Sequence, residues 1–223
     1  MSVPPPLEFL DPPELAMRRL LFVVTGSASA STVPTWLNWI RDTYPRLDLA
    51  VVATRNALRF VTREALGLRT SHEVVVDSWD DCVRARHVEH AEWADAVLVY
   101  PATLHFVARF ALGLADTPTL LALQCTRAAI GLAPALPPGG LDSPAFQRHW
   151  ATLAERGNVA LVPPMPGRSL TTGRDDGWVC PPLPEALRRL EQRRLSLEPE
   201  PELEPPAAAL AGAGSADGGG VTG

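Results

Sequence analysis

The sequence contains no lysine: all 20 of its basic residues are arginine. A Schiff-base nucleophile and the lysine of a P-loop both need a primary amine, so both chemistries are excluded. The arginine-only usage is a composition bias and carries no functional message. Cysteine is scarce, with 3 residues, Cys82, Cys125 and Cys180, widely spaced and without a CxxC pair. Neither a disulfide framework nor a structural zinc site is expected. No apolar run approaches the ~20 residues of a membrane span. The stretch MSVPPPLEFLDPPEL lacks the basic region and apolar core of a secretion signal. These absences lead to the expectation of a cytoplasmic protein with no membrane partner.

Aromatic residues and bases are both missing from residues 197–223, LEPEPELEPPAAALAGAGSADGGGVTG. Such a segment cannot bury enough apolar area to offset its ordering entropy and is expected to be disordered. It holds Glu198, Glu200, Glu202, Glu204 and Asp217, five of the 25 acids, so the rest of the chain is about neutral and the net −5 belongs to the tail. Nothing in this balance suggests nucleic-acid binding. Residues 1–17 are Pro-rich and read as an arm. Between them, residues 18–196 form one domain, and a hydrophobic content of 46% supports a core.

Within that domain apolar runs alternate with amphipathic ones. RRLLFVVTG, LDLAVVAT, HEVVVDSW, ADAVLVYPA, TPTLLALQC and NVALVPP read as strands. STVPTWLNWIRDTY, NALRFVTREALG, RARHVEHAEW, LHFVARFALGLAD, SPAFQRHWATLAERG and LPEALRRLEQRRL read as helices, with Pro34 and Pro144 in first-turn positions and Ser143 as a cap. The pattern is α/β: a parallel sheet of about six strands with helices on both faces. Sites in such sheets lie beyond the C-terminal ends of the strands.

TGSASAS, Thr25–Ser31, follows the first strand and offers backbone amides, hydroxyls and a helix N-terminus to a phosphate. It lacks GxGxxG, and an ordinary Ser-rich turn would read the same way. In TRNALRF, Thr54 and Asn56 suit either a ligand or a helix cap. HVEHAEWAD puts His87 and His90 on one helix face. Without HExxH or a third ligand, no metal is expected.

VVTGSASA, TRNALRF, HVEHAEWADAVLVYPATLHFVARFALGLAD and APALPP, in that order, resemble the homo-oligomeric flavin-containing cysteine decarboxylases, over about Arg18–Val179. These include phosphopantothenoylcysteine decarboxylase and the lanthipeptide-type peptidyl-cysteine decarboxylases. The resemblance implies a Rossmann-like (flavodoxin-like) fold and a flavin, FMN or FAD. It assigns Gly26, Ser27, Ala28 and Ser29 to a first flavin loop, and Thr54, Arg55, Asn56 and Phe60 to a second. Pro101, Ala102, Thr103 and Leu104 match the start of the family's PASANT loop, and His87 falls on its active-site histidine.

The substrate-facing parts depart from the family. Its carboxylate-binding asparagine is His105 here. Its PxMNxxMW clamp aligns with Pro134–Leu141, where Leu136 and Pro137 replace Met and Asn. The cysteine of the coenzyme A enzymes aligns near Thr172. This divergence favours a peptide-modifying relative acting on a precursor peptide with a C-terminal cysteine. The implied reaction is oxidative decarboxylation to an enethiol, with His87 as base and His105, or an arginine of residues 168–174, on the carboxylate. A trimer or dodecamer and partnering cyclase or dehydratase enzymes are also implied. The alternatives are phosphopantothenoylcysteine decarboxylation and a non-catalytic flavin-binding or regulatory subunit.

Overall fold

The computed structural model describes residues 11–80, 85–169 and 172–197. The Pro-rich residues 1–10, Cys82 and the acidic segment 198–223 lie outside the described residues. Six strands form one parallel sheet: β1 Arg19–Val24, β2 Asp48–Thr54, β3 Val75–Asp77, β4 Ala96–Ala102, β5 Ala129–Pro134 and β6 Val159–Leu161. Their order is β3-β2-β1-β4-β5-β6, every pair parallel. The chain therefore winds outward from β1 in one direction and from β4 in the other. The crevice beyond the ends of β1 and β4 is the switch point where such sheets bind ligands.

Among the described residues seven α-helices cover the sheet: α1 Val33–Thr43, α2 Arg63–Gly67, α3 Arg86–Trp93, α4 Leu104–Ala111, α5 Pro118–Cys125, α6 Pro144–Ala154 and α7 Leu183–Ser196. Successive strand residues point to opposite faces. On β1, Leu20, Phe22 and Val24 join α1 and α7 in one core layer. Leu21 and Val23 join α4, α5 and α6 in the other. Phe22, Phe110 and Phe146 are fully buried, each worth roughly 1.5–3 kcal/mol of transfer free energy. Trp36 and Trp39 are half-buried against the first layer, where Trp36 meets Tyr100 edge-on at 6.5 Å. No helix among the described residues is long and apolar enough to cross a membrane.

Two assignments differ from the sequence reading. TPTLLALQC, expected as the fifth strand, is helix α5. Thr117 caps it, its Oγ1 accepting from Leu120 N–H at 3.3 Å, and Pro118 takes the first turn. The buried Asp77 carboxylate at the end of β3 accepts Thr119 N–H at 2.9 Å. The helix is apolar nearly all round because it is buried nearly all round, so its periodicity was not visible. The fifth strand is instead AIGLAP, Ala129–Pro134. NALRFVTREALG is likewise not one helix. It makes a 3-10 turn, Ala57–Arg59, and then α2, capped by Thr62.

The Pro-rich arm is attached from Asp11 onward. Met17 is buried in the first core layer. Ala16 N–H donates to Glu191 Oε1 at 2.8 Å, and Tyr44 Oη donates to Pro13 C=O at 2.7 Å. Apart from the main sheet stands an antiparallel pair, β7 Met165–Gly167 and β8 Gly177–Val179.

Candidate functional site

A cleft of about 500 Å³ opens at the switch point. Its floor is two loops. Gly26–Ser29 leaves β1 and enters a 3-10 turn, Ala28–Thr32, where Ser27 Oγ accepts Ser29 N–H at 3.3 Å. Thr103, Leu104 and His105 leave β4 and start α4, where Thr103 Oγ1 accepts Phe106 N–H at 3.2 Å. One wall is Ala135–Pro138, after β5. The other is the β7–β8 hairpin, with Arg168, Ser169, Thr172, Trp178 and Val179. The walls are joined: Leu136 N–H donates to Trp178 C=O at 2.8 Å and Trp178 N–H returns to Leu136 C=O at 3.1 Å.

Gly26 is the tightest point of the floor. A Cβ there would stand 2.5 Å from Asn56 Cβ and 2.9 Å from Asn56 C. The loop after β2 thus packs directly under the loop after β1. Thr54 Oγ1 caps the turn that follows, accepting Ala57 N–H at 3.2 Å. Arg55 donates to Ser78 Oγ at 2.6 Å and pairs with Asp80, whose carboxyl it holds below the usual range.

Of the residues expected at the site, Gly26, Ser27, Ala28, Ser29, Thr103, Leu104, His105, Leu136 and Pro137 line the cleft. Pro101, Ala102 and Pro134 lie behind it, buried in the strand ends. Thr54, the last residue of β2, and Arg55, Asn56 and Phe60 after it are not part of the cleft lining, and Phe60 is 44% exposed. His87 is on α3 and outside the cleft lining, with its ring edge-on to Trp79 at 5.6 Å. Its Nδ1 is buried without a hydrogen-bond partner among the described residues, as is that of His90. Burial, with Arg86 nearby, depresses the His90 pKa.

Sequence reasoning missed Thr25 and Trp178. Arg168 it weighed together with Arg174, and the structure separates them. Arg174 is paired with Asp176 at 2.7 Å. Arg168, exposed on the cleft wall, makes no ion pair or hydrogen bond among the described residues. Cys180 follows directly after β8. Burial raises its pKa, and it donates to Ala133 C=O at 3.1 Å. It does not line the cleft.

The donors and the shape suit a flavin mononucleotide. Gly26–Ser29 lines the cleft at the start of a helical turn, the setting in which backbone amides and hydroxyls hold phosphates. Leu104, Leu136 and Pro137 offer apolar surface to a planar ring, and the volume is in the range of cofactor sites. A parallel sheet with this cleft at its switch point defines a nucleotide-binding α/β protein.

Comparison with known proteins narrows the class. The model of the Flavoprotein family matches residues 11–179. The cypemycin cysteine dehydrogenase (decarboxylating) of a Streptomyces species is 38% identical over 146 residues, 65% of this chain and 75% of that protein. The crystal structure of the cypemycin decarboxylase CypD superposes with a TM-score of 0.69 at 33% identity, covering 83% of this chain and 98% of that one. The FMN-dependent cysteine decarboxylase SpaF gives 0.66 at 26% identity, covering 80% and 97%. The chain belongs to the Flavoprotein family.

Proposed function

We propose that the protein is a flavin-dependent peptidyl-cysteine decarboxylase that oxidatively decarboxylates the C-terminal cysteine of a precursor peptide. The observation that carries this reading is the cleft at the β1/β4 switch point, whose floor suits a flavin and whose wall presents an unpaired arginine. Its likeness to the cypemycin enzyme, named for a decarboxylating dehydrogenation of cysteine, points the same way. FMN is the cofactor favoured by the likeness to SpaF.

Gly26–Ser29 and Thr103–Leu104 would hold the flavin, which in its oxidised form would supply the two-electron oxidation that turns the cysteine Cβ–S unit into a thioaldehyde. Arg168 holds the terminal carboxylate, with His105 at the cleft floor as a second donor. A thiocarbonyl β to a carboxylate is an electron sink: the Cα–carboxylate bond breaks, carbon dioxide leaves, and the electron pair ends on sulfur as an ene-thiolate. Protonation gives the enethiol. Leu136, Pro137 and Trp178 keep water from the reacting carbon.

His87 is the base for the cysteine thiol. It lies off the cleft of its own chain, so it serves the cleft of a neighbouring copy in a trimer or higher assembly. The exposed Trp79 and Val88 beside it support a contact there. Neither Cys125 nor Cys180, the two cysteines among the described residues, lines the cleft, and the position near which the coenzyme A enzymes' cysteine aligns is Thr172, which disfavours the phosphopantothenoylcysteine reaction. A cyclase then consumes the enethiol.

The test is mass spectrometry of synthetic Cys-terminated peptides incubated with the flavin-loaded protein. A product lighter by carbon dioxide and two hydrogens, absent when the peptide is amidated, supports the proposal. Flavin-loaded protein that leaves every such peptide intact overturns it.

A further inference from the structure

We propose that Thr25 is a positioning residue for the flavin site, its hydroxyl holding the two floor loops at a fixed separation. Thr25 is 1% exposed, directly after β1. Its Oγ1 donates to Pro101 C=O at 2.7 Å and accepts Thr103 N–H at 2.9 Å. Its own C=O accepts Ser27 N–H at 2.8 Å, closing the first loop. Two of these bonds tie Thr25 to Pro101 and Thr103, and the third fixes Gly26–Ser29 to Thr25, so one residue links both floor loops.

The tie is needed because the sheet ladder stops short of the site. β1 and β4 are last paired at Val23 and Val99. Pro101 has no N–H to donate, and the β4–β5 register shifts between Val99 and Ala102. Beyond Val99 the main chains cannot hold β4 against β1. The Thr25 hydroxyl replaces the missing rung, donating to Pro101 C=O in β4 and accepting from Thr103 N–H just beyond it. Thr103 is the cap of α4, so the same contact sets the height at which Leu104 and His105 enter the cleft. A group that must touch both loops at once feels any change in their spacing directly.

This inference rests on the flavin reading of the cleft and concerns this chain's own grip. The experiment is flavin titration, by fluorescence quenching, of apoprotein from the wild type and three variants, at a temperature where all are folded. Thr25→Val keeps the shape and removes both bonds. Thr25→Ser keeps both bonds. Glu191→Gln loosens the N-terminal segment, far from the cleft, and controls for general loss of stability. The expected result is flavin affinity weaker by roughly tenfold or more in Thr25→Val, the change expected when buried partners lose their bonds. Thr25→Ser and Glu191→Gln bind as the wild type does, and the flavin absorption band shifts only in Thr25→Val. Wild-type affinity in Thr25→Val, or an equal loss in Glu191→Gln, overturns the positioning role. A wild-type chain that takes up no flavin overturns the cofactor reading, and this proposal with it.

Discussion

Substituting Gly26 by alanine tests the floor of the site most directly. The added Cβ would meet Asn56 Cβ at 2.5 Å, Asn56 C at 2.9 Å and Asn56 O at 3.1 Å. Two of those atoms are backbone, so no rotamer change relieves the contact. The loop after β1 or the loop after β2 must move. Overpacking of this kind costs about 1–3 kcal/mol, which for a chain of this size lowers Tm by roughly 2–12 °C. Gly131 supplies the contrast. There a Cβ would meet Leu98 Cδ1 at 2.9 Å, the tip of a side chain that can turn away. Gly131→Ala should therefore cost less and leave flavin uptake intact. Adding Asn56→Gly to Gly26→Ala should recover part of the loss, and only part, because the Asn56 backbone stays in place. Thermal melts of the apoproteins followed by circular dichroism, with flavin content by absorbance, read both effects. Wild-type melting and full flavin content in Gly26→Ala would refute the packing argument.

Arg168→Met should raise KM for a Cys-terminated peptide by roughly tenfold or more with a smaller change in kcat, the pattern of a lost charge-assisted contact; steady-state kinetics decide it. Asp77→Ala leaves the Thr119 N–H at the start of α5 without its acceptor and should cost about 1–3 kcal/mol, seen as a lower denaturation midpoint. At Glu191, burial raises the pKa, but hydrogen bonds from Arg194 and from Ala16 N–H outweigh it and the net shift is downward. Its stabilisation is thus present above the ordinary glutamate value and lost as pH falls through the lowered one, and Glu191→Gln should flatten Tm against pH in that acid range. His90 is depressed from its ordinary 6.5 by burial, so the unfolded chain binds its proton first. Stability should decline as pH falls below 6.5, and His90→Gln should reduce that slope in the same melts.

Local signals were legible in the sequence where they were both local and one-sided. Ser143–Pro144 announced α6 correctly, and Thr117–Pro118 carried the same signal for α5. It was overridden there by an unbroken apolar run, which a helix buried nearly all round and a buried strand share. The true β5 was hidden by its composition, since AIGLAP has a glycine and a proline and little bulk. Gly131 is small because Leu98 and Leu190 fill the space above it. The cofactor loops could be found because they follow strand ends. Thr25 could not, because its partners lie 76 and 78 residues away. Nor could any spacing rule distinguish Arg168 from Arg174; the deciding carboxylate, Asp176, acts through the folded hairpin.

The clasp between Ala16 and Glu191 joins positions 175 residues apart in sequence. With Tyr44 gripping Pro13, it brings the first described residues against the last helix. Topologically the domain is closer to a ring than to a line. A circularly permuted gene, joining Leu197 back to Asp11 through a linker and opening an exposed turn elsewhere, should therefore encode the same sheet. Labels placed near Asp11 and on α7, where Arg188 donates to Asp11 C=O at 3.2 Å, would by contrast report on one shared neighbourhood.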